Sequence, residues 1–153
     1  DQFFIGSRTR WLQPNMLSLW TRALNSAPNI MDWCKAHPDT ILYGEVYGPV
    51  QELRYGLVEP RFAPFAAING DEWLNMKELF SSLAPTSQHV PVLYHGTYDR
   101  QSIAALAELD TQIPDAPLGH IMEGIVIVAE PPRRDPNIGR VALKLISNRY
   151  WES

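Results

Sequence analysis

Residues 42–49 read Leu-Tyr-Gly-Glu-Val-Tyr-Gly-Pro, a strand-forming run in which a single carboxylate, Glu45, stands between two glycines. Glutamate is depleted in strands and is rarely buried without a partner, whereas glycine lets another backbone or a ligand approach closely. The same pattern also fits an edge strand whose carboxylate faces water. Glu45 is therefore a candidate binding residue that other motifs must support.

Further strands and helices are predicted on both sides of this segment. The strand-like runs are Phe3 to Gly6, Thr40 to Tyr47, Arg61 to Ile68, Val90 to Tyr94, Gly124 to Val128 and Arg140 to Ile146. Helical spacing of apolar residues predicts four helices: Met16, Leu19, Trp20, Ala23 and Leu24 after Pro14; residues 29–36; Met76, Leu79, Phe80 and Leu83; and Ile103, Leu106, Ala107 and Leu109 after Asp99. Because the strands do not alternate with long helices, we expect an α+β fold with mainly antiparallel sheets and flanking helices.

The composition fits one soluble domain over residues 1–153. Hydrophobic residues make up 45% and charged residues 20% of the chain, which is ordinary for a globular protein. No apolar run approaches the roughly 20 residues that a membrane helix requires. Cys34 is the only cysteine, so no internal disulfide or cysteine-based zinc site can form, and we expect an intracellular, cytoplasmic protein. Because the chain begins at Asp1, we also expect further sequence upstream.

The net charge of −4 argues against a protein that coats nucleic acid through its overall field, but it leaves room for a local basic surface. Four arginines form such a cluster in the sequence: Arg133, Arg134, Arg140 and Arg149. A solvated arginine-rich loop and a phosphate-binding site explain this cluster about equally well.

Two more segments place single charged residues beside apolar strands. Glu123 directly precedes the run at residues 124–128, where its carboxylate suits magnesium, an ion that takes few protein ligands together with phosphate oxygens. Lys144 interrupts the apolar run 141–146, and its compact charge suits the neutralisation of phosphate. Either residue alone also fits a solvated side chain, with the Lys144 stem packed and its ammonium in water.

Arg8 and Phe65 complete the candidates. Arg8 follows the first short strand and offers forked donors to phosphate or ribose oxygens. Phe65 offers a flat face on which a base can stack, although core packing is the commoner fate of a phenylalanine.

In chain order, Ser-Arg-Thr at 7–9, Gly-Glu-x-x-Gly-Pro at 44–49, Phe-x-x-Phe at 62–65, Glu-Gly-x-Val at 123–126 and Leu-Lys at 143–144 resemble the ordered motifs of covalent nucleotidyltransferases. The closest likeness is to the RNA ligase family, and it extends from Arg8 to about Tyr150. The resemblance implies an ATP-grasp-like adenylation domain in which antiparallel sheets enclose AMP, with the matching residues gathered around one cleft.

The resemblance also implies a role for each matching residue. Glu45 matches a glutamate that hydrogen-bonds the ribose, and Phe65 matches an aromatic residue that stacks on adenine. Glu123 matches a carboxylate associated with the divalent metal and the sealing chemistry. Lys144 matches a lysine that contacts the AMP phosphate, and Arg8 matches an arginine near the ribose or the RNA end. The implied cofactors are ATP, bound as AMP after reaction, and Mg²⁺ or Mn²⁺; the implied partners are single-stranded or nicked RNA ends, as in RNA repair.

The chain departs from the family pattern at the nucleophile. RNA ligases use a lysine in a Lys-x-(Asp or Glu)-Gly motif upstream of the Arg8 motif, and none of the three lysines of this chain lies in such a motif: Lys35, Lys77 and Lys144. Some relatives carry a second lysine two residues after the position of Lys144, where this chain has Ile146. An acidic residue often follows the stacking aromatic residue in the family, where this chain has Ala66. Many relatives also carry a downstream RNA-binding extension, which residues 1–153 do not include. We expect the lysine motif on a missing N-terminal segment.

Three functions follow from these motifs. The resemblance implies an ATP-dependent RNA ligase that joins 5′-phosphate and 3′-hydroxyl ends through lysyl-AMP and adenylated RNA, this chain alone being incompetent for self-adenylation. A catalytically inactive module that binds nucleotides or RNA ends is the alternative, and a DNA ligase or an mRNA capping enzyme shares the general motif order. The amino-acid sequences of residues 45–49 and 143–150 match RNA ligases better than the other two classes. An upstream lysine motif would favour the enzyme over the inactive module.

Overall fold

The computed structural model describes residues 4–13, 18–83 and 89–153, which contain five helices and antiparallel strand pairs. They divide into two units, Asp1–Val90 and Pro91–Ser153. The first contains β1 (Ile5–Gly6), β2 (Trp11–Leu12), α1 (Leu19–Asn25), α2 (Pro28–Ala36), β3 (Thr40–Tyr47), β4 (Arg61–Asn69), β5 (Glu72–Trp73) and α3 (Met76–Leu83). The second contains α4 (Arg100–Leu106), β6 (Gly124–Val128), β7 (Arg134–Asp135), β8 (Gly139–Arg140), β9 (Ala142–Ile146) and α5 (Asn148–Trp151). The mixed class with antiparallel sheets is confirmed; a single domain over residues 1–153 stays a prediction.

A three-stranded sheet in the order β3-β4-β5 supports the first unit. Helices α1, α2 and α3 bury their apolar faces against Ala67 of β4, forming one core cluster of Leu24, Ile30, Trp33, Ala67, Leu79, Phe80 and Leu83. Removing a side chain such as Leu79 from water stabilises the fold by about 1.5–3 kcal/mol. The one polar group that Trp33 brings into this core is satisfied, because its indole Nε1 donates to Ser82 Oγ at 2.9 Å.

The four predicted helices are present, and the N-terminal Asp99 expected for α4 is confirmed, whereas the cap of α1, Ser18, was not predicted. Ser18 caps α1 by accepting from Thr21 N, and Asp99 caps α4 by accepting from Ser102 N. Pro14 and Met16, assigned to the first helix, lie outside the described residues, as does Phe3. Leu109, expected in the core, is 47% exposed, because α4 ends at Leu106 before the helical spacing reaches it.

The second unit is organised by the pairing of β6 with β9, whose register places Gly124 opposite Ile146 and Val126 opposite Lys144. The fifth helix, α5, follows β9 directly and is capped by Ser147, whose side chain accepts from Arg149 N. No helix of the described residues is long and apolar enough to cross a membrane.

Two strand predictions are wrong in detail. Residues 90–94 form no strand: Val90 N donates to Pro64 O at 3.0 Å, but Pro91 has no N–H with which to continue a ladder. The run predicted from Arg140 to Ile146 is divided into β8 and β9 at Val141. The backbone N–H of Val141 donates to Arg133 O, and its carbonyl oxygen accepts from Ala129 N. The chain therefore passes at Val141 from the pair β7–β8 to the pair β6–β9.

Candidate functional site

A β-bulge lies between the positions of two predicted site residues of the first unit, Glu45 on β3 and Phe65 on β4. Glu45 pairs with Ala63 and Gly44 with Pro64, but the register then shifts so that Tyr43 pairs with Ala66. Phe65 is therefore the extra residue of β4, opposite no residue of β3. Such bulges re-aim a side chain. Phe65 is half-buried, and Glu45, which pairs with Ala63 two residues before Phe65, is exposed.

The glycine before Glu45 has a packing reason. A Cβ at Gly44 would lie 2.3 Å from Cζ of Phe62 and 2.8 Å from the carbonyl oxygen of Ala63, distances that no real side chain tolerates. Because Phe62 packs against the core cluster, the ring cannot move away freely. Gly44 thus permits the close approach of β3 and β4 at the bulge.

The Glu45 carboxylate is held by the loop that follows its strand. Its Oε1 accepts a hydrogen bond from Gln51 Nε2 at 2.7 Å, and Gln51 N donates to Gly48 O at 3.2 Å. The side chain remains exposed, so the loop orients the carboxylate without covering it. An oriented, open carboxylate is a suitable acceptor for sugar hydroxyls.

Arg8 lies in the turn between β1 and β2, where its side chain is exposed. Ser7 closes this turn: its N donates to Arg10 O at 2.8 Å, and its Oγ accepts from Arg10 N at 3.3 Å. The turn presents the guanidinium to solvent.

Glu123 and Lys144 are in direct contact in the second unit. Glu123 immediately precedes β6 and Lys144 lies within β9; Lys144 Nζ is 2.5 Å from Glu123 Oε1. The backbone continues this contact, since Ser147 N donates to Glu123 O at 2.9 Å. The side chain of Glu123 is 43% exposed and that of Lys144 is 56% exposed. Exposed ion pairs contribute little to stability. The pair therefore offers a cation and an anion side by side at an open position, ready to exchange partners with a charged ligand.

A carboxylate that sequence reasoning missed, Glu108, anchors the segment after Lys144. Its oxygens accept from Asn148 N at 2.9 Å and from Ser147 Oγ at 3.1 Å. Arg149 completes the network by donating to Glu108 O and Asp110 Oδ1, each at 2.9 Å. No local pattern reveals Glu108, because its partners lie about 40 residues further along the chain.

This network makes the end of the chain sensitive to acid. The backbone N–H of Asn148 is the main group that lowers the pKa of Glu108, with smaller help from Arg149 and Ser147 and opposition from desolvation. Because the pKa of Glu108 is lowered in the folded state, its ionised carboxylate stabilises the fold fully above the ordinary glutamate pKa of about 4.3. This stabilisation is lost as the pH falls through the folded-state pKa of Glu108. We expect the amide chemical shifts of Asn148 and Arg149 to titrate together with a midpoint below that ordinary value.

Glu108→Gln should abolish this titration, because the amide cannot ionise. Glu152→Gln, on an exposed carboxylate four residues after Asn148, is the matched control and should leave it unchanged. An identical titration in Glu108→Gln would assign the acid sensitivity to another group.

The fold is shared with solved RNA ligases. A glutamate-to-alanine variant of the Naegleria gruberi RNA ligase with ATP and Mn has a TM-score of 0.70 and 19% sequence identity to this chain. A lysine-to-methionine variant with AMP and Mn has values of 0.68 and 18%, and the ligase with PPi has values of 0.69 and 20%. Each match covers 93% of this chain, which spans 42% of the length of those proteins.

These likenesses define a class of fold, and a family model assigns the chain within it. The model described as RNA ligase matches residues 1–146. The chain belongs to the RNA ligase family, as its motifs indicated. No curated protein sequence matched it significantly.

Proposed function

We propose that this chain is the nucleotide-binding part of an ATP-dependent RNA ligase with an ATP-grasp-like adenylation fold. The enzyme would join 5′-phosphate and 3′-hydroxyl RNA ends through lysyl-AMP and adenylated RNA. The observation that carries the proposal is the open contact between Lys144 and Glu123 in a chain that belongs to this family. The similar solved ligases contain ATP, AMP or PPi, with Mn in the first two cases.

Lys144 is proposed to hold the α-phosphate of ATP. Its ammonium already faces an anion, the carboxylate of Glu123, and a phosphate oxygen can replace that carboxylate without a change in the position of the lysine. Phosphoryl-type transfer depends mainly on positioning and charge neutralisation. Lys144 supplies both at one atom.

Glu123 is the proposed ligand of Mg²⁺ or Mn²⁺. Among the described residues no group of three or more His, Cys, Asp or Glu side chains is placed to hold a metal. A single carboxylate fits an ion that completes its coordination with phosphate oxygens and water. The metal would supply charge neutralisation on the phosphates.

Glu45 and Phe65 are proposed to bind the adenosine, and Arg8 the ribose or the RNA end. The bulge on β4 leaves Phe65 without a pairing partner on β3, and Glu45 pairs with Ala63, two residues before Phe65. A ring for stacking and an acceptor for hydroxyl groups are two contacts that suit a nucleoside. The exposed guanidinium of Arg8 is suited to phosphate or ribose oxygens.

The nucleophile is proposed to come from sequence upstream of Asp1. Lys35 is paired with Asp32 at 3.6 Å within α2, and Lys77 lies on the exposed side of α3. Neither lysine is in the Lys-x-(Asp or Glu)-Gly motif. The same observation favours the second candidate function, a silent module that binds nucleotides or RNA ends.

We expect this chain to bind ATP reversibly and to form no lysyl-AMP. The chain contains the residues proposed to contact the phosphate and the adenosine, but no lysine of this chain lies in the nucleophile motif. Calorimetry with ATP and Mn²⁺ measures binding, and incubation with radiolabelled ATP followed by denaturing gel electrophoresis at alkaline pH detects an adduct. A labelled band that survives denaturation and is lost in acid would contradict the assignment of the nucleophile, and the absence of ATP binding would contradict the proposed function itself.

The adenine contact has its own control on the same strand. Phe65→Leu removes the stacking face while keeping an apolar side chain, and stacking is worth about 1–3 kcal/mol per base. Phe62→Leu, in the ring that packs against the core, should lower stability and leave ATP affinity nearly unchanged. If Phe62→Leu lowered the ATP affinity and Phe65→Leu did not, the adenine base would stack on a residue other than Phe65.

A further inference from the structure

Three chain segments of the second unit are hydrogen-bonded to one another in pairs and are here called the frame: residues 108–111, 120–123 and 147–149. The first and third segments are joined by side chains. The carboxylate of Glu108 accepts from Asn148 N at 2.9 Å and from Ser147 Oγ at 3.1 Å. Arg149, one of the four clustered arginines of the sequence, donates to Asp110 Oδ1 at 2.9 Å. Contacts at several points therefore fix these two segments to each other.

The middle segment is joined to both of the others through its backbone. Thr111 N donates to His120 O at 2.8 Å, next to an isolated antiparallel bridge between the same two segments. Ser147 N donates to Glu123 O at 2.9 Å and closes the frame. Because each segment is joined to the other two, no single joint can act as a hinge, and the three segments keep their relative positions.

The proposed phosphate site, Glu123 and Lys144, is attached to this frame. Glu123 belongs to it, and Lys144 lies three residues before Ser147 on β9. The ion pair between their exposed side chains is too weak to hold its own geometry. The strand pairing of β6 with β9 ends at Gly124 and Ile146 and leaves Glu123 outside. The position of Glu123 therefore depends on the frame.

Ser147 is the residue through which Glu108 reaches the phosphate site. It is 1% exposed, and a buried hydroxyl needs hydrogen-bond partners. Its Oγ donates to Glu108 Oε2 at 3.1 Å and accepts from Arg149 N at 3.1 Å, while its backbone N holds the carbonyl oxygen of Glu123. Without the Glu108 carboxylate, the Ser147 hydroxyl and the Asn148 N–H would lose their acceptor, and the turn that holds Glu123 would rearrange.

We propose that Glu108 is a positioning residue of the phosphate site. It acts through Ser147 and the backbone of Glu123, and it thereby sets where the ammonium of Lys144 waits for a phosphate. The inference rests on the proposed function, which assigns the α-phosphate to Lys144. A site that is already in its bound geometry spends less free energy on ordering its side chains when the ligand arrives. Loss of the frame should therefore weaken the phosphate contact and spare the contacts with adenosine.

The test is a double-mutant cycle that measures AMP affinity with the whole chain. AMP is titrated into wild type, Glu108→Ala, Lys144→Ala and the double variant, with NMR as the readout because it also measures weak binding. Metal-free buffer keeps a metal at Glu123 from contributing. We expect Glu108→Ala to weaken AMP binding by about 3- to 10-fold and Lys144→Ala by about 10- to 150-fold. In the Lys144→Ala background the Glu108 substitution should have no further effect, because the two residues act on one contact.

Three controls make the result specific. Adenosine, which has no phosphate, should bind to wild type and Glu108→Ala equally well. Glu152→Ala removes an exposed carboxylate just after α5 and should bind AMP as wild type does. Glu108→Gln keeps one acceptor oxygen for Asn148 N and should recover part of the affinity, leaving a loss of about two- to threefold. If circular dichroism shows that Glu108→Ala does not fold, the cycle is run with Glu108→Gln.

The outcomes separate this role of Glu108 from the proposed function. Equal losses from the Glu108 substitution in both backgrounds, or an equal loss for adenosine, would assign Glu108 to general stability and overturn the positioning role. Wild-type AMP affinity in the Glu108 variants, together with a loss in Lys144→Ala, would also overturn it and leave the nucleotide site intact. Wild-type AMP affinity in Lys144→Ala would contradict the proposed function and the positioning role together.

Discussion

Replacing Gly124 by alanine is expected to disrupt the pairing of β6 with β9. A Cβ at this position would lie 2.1 Å from the carbonyl oxygen of Leu145 and 2.8 Å from Cα of Ile146. Both are backbone atoms of the partner strand, so the clash cannot be relieved by a side-chain rotation. Overpacking ordinarily costs about 1–3 kcal/mol, and we expect a loss at or above the upper end of this range.

The consequence reaches the candidate site, because Glu123 adjoins Gly124 and Lys144 is on the strand that must move. Chemical unfolding monitored by circular dichroism should show a lower midpoint denaturant concentration for Gly124→Ala than for wild type. The affinity for ATP should fall as well, because Lys144 is proposed to contact its phosphate. Gly119→Ala is the matched control: nothing lies within 4 Å of its added Cβ, and only its positive φ of 77° is strained, at about 1 kcal/mol. Equal losses in the two variants would mean that the backbone contact at Gly124 is relieved elsewhere.

Replacing Lys144 by alanine is expected to lower the affinity for ATP by about 10- to 150-fold. This range corresponds to the loss of one charge-assisted hydrogen bond of about 1.5–3 kcal/mol. The loss should be similar for AMP and absent for adenosine, because only the first two carry a phosphate. Calorimetry with the three ligands separates the contribution of Lys144 from that of the adenosine contacts.

Lys77→Ala is the control, since it removes a lysine from an exposed position of α3. It should leave all three affinities unchanged. If Lys144→Ala weakened adenosine as much as ATP, Lys144 would have a structural role or would contact another part of the nucleotide. A variant with wild-type ATP affinity would remove Lys144 from the site.

The sequence predicted best where the pattern is local. The bounds of β3 and β6 agree with prediction, since runs of aliphatic and aromatic residues bounded by glycine or proline favour strands wherever they occur. Helix α4 begins after Asp99 because a capping carboxylate acts on the next few backbone amides. Prediction failed at residues 90–94, where apolar composition favoured a strand and Pro91 could not supply its hydrogen bond.

The roles of Glu45, Phe65, Glu123, Lys144 and Arg8 remain proposals, but the structure adds a physical context that no motif contains. The register shift that frees Phe65 from pairing depends on how β3 aligns with β4. Gly44 is explained by the close approach of the Phe62 ring and the Ala63 carbonyl oxygen, and Gly124 by the close approach of the β9 backbone.

The sequence by itself determined the residue types, most strand and helix positions and the motif order, because these depend on neighbours within a few positions along the chain. Only the tertiary structure decided that Lys144 meets Glu123, that Arg134 faces Arg140, and that Glu108 accepts a hydrogen bond from Asn148 N at the start of α5. The longer-range contacts join residues about 20 to 40 positions apart, and even the arginine pair depends on the register of its turn. Such contacts follow from strand alignment and loop closure, which composition and periodicity do not specify.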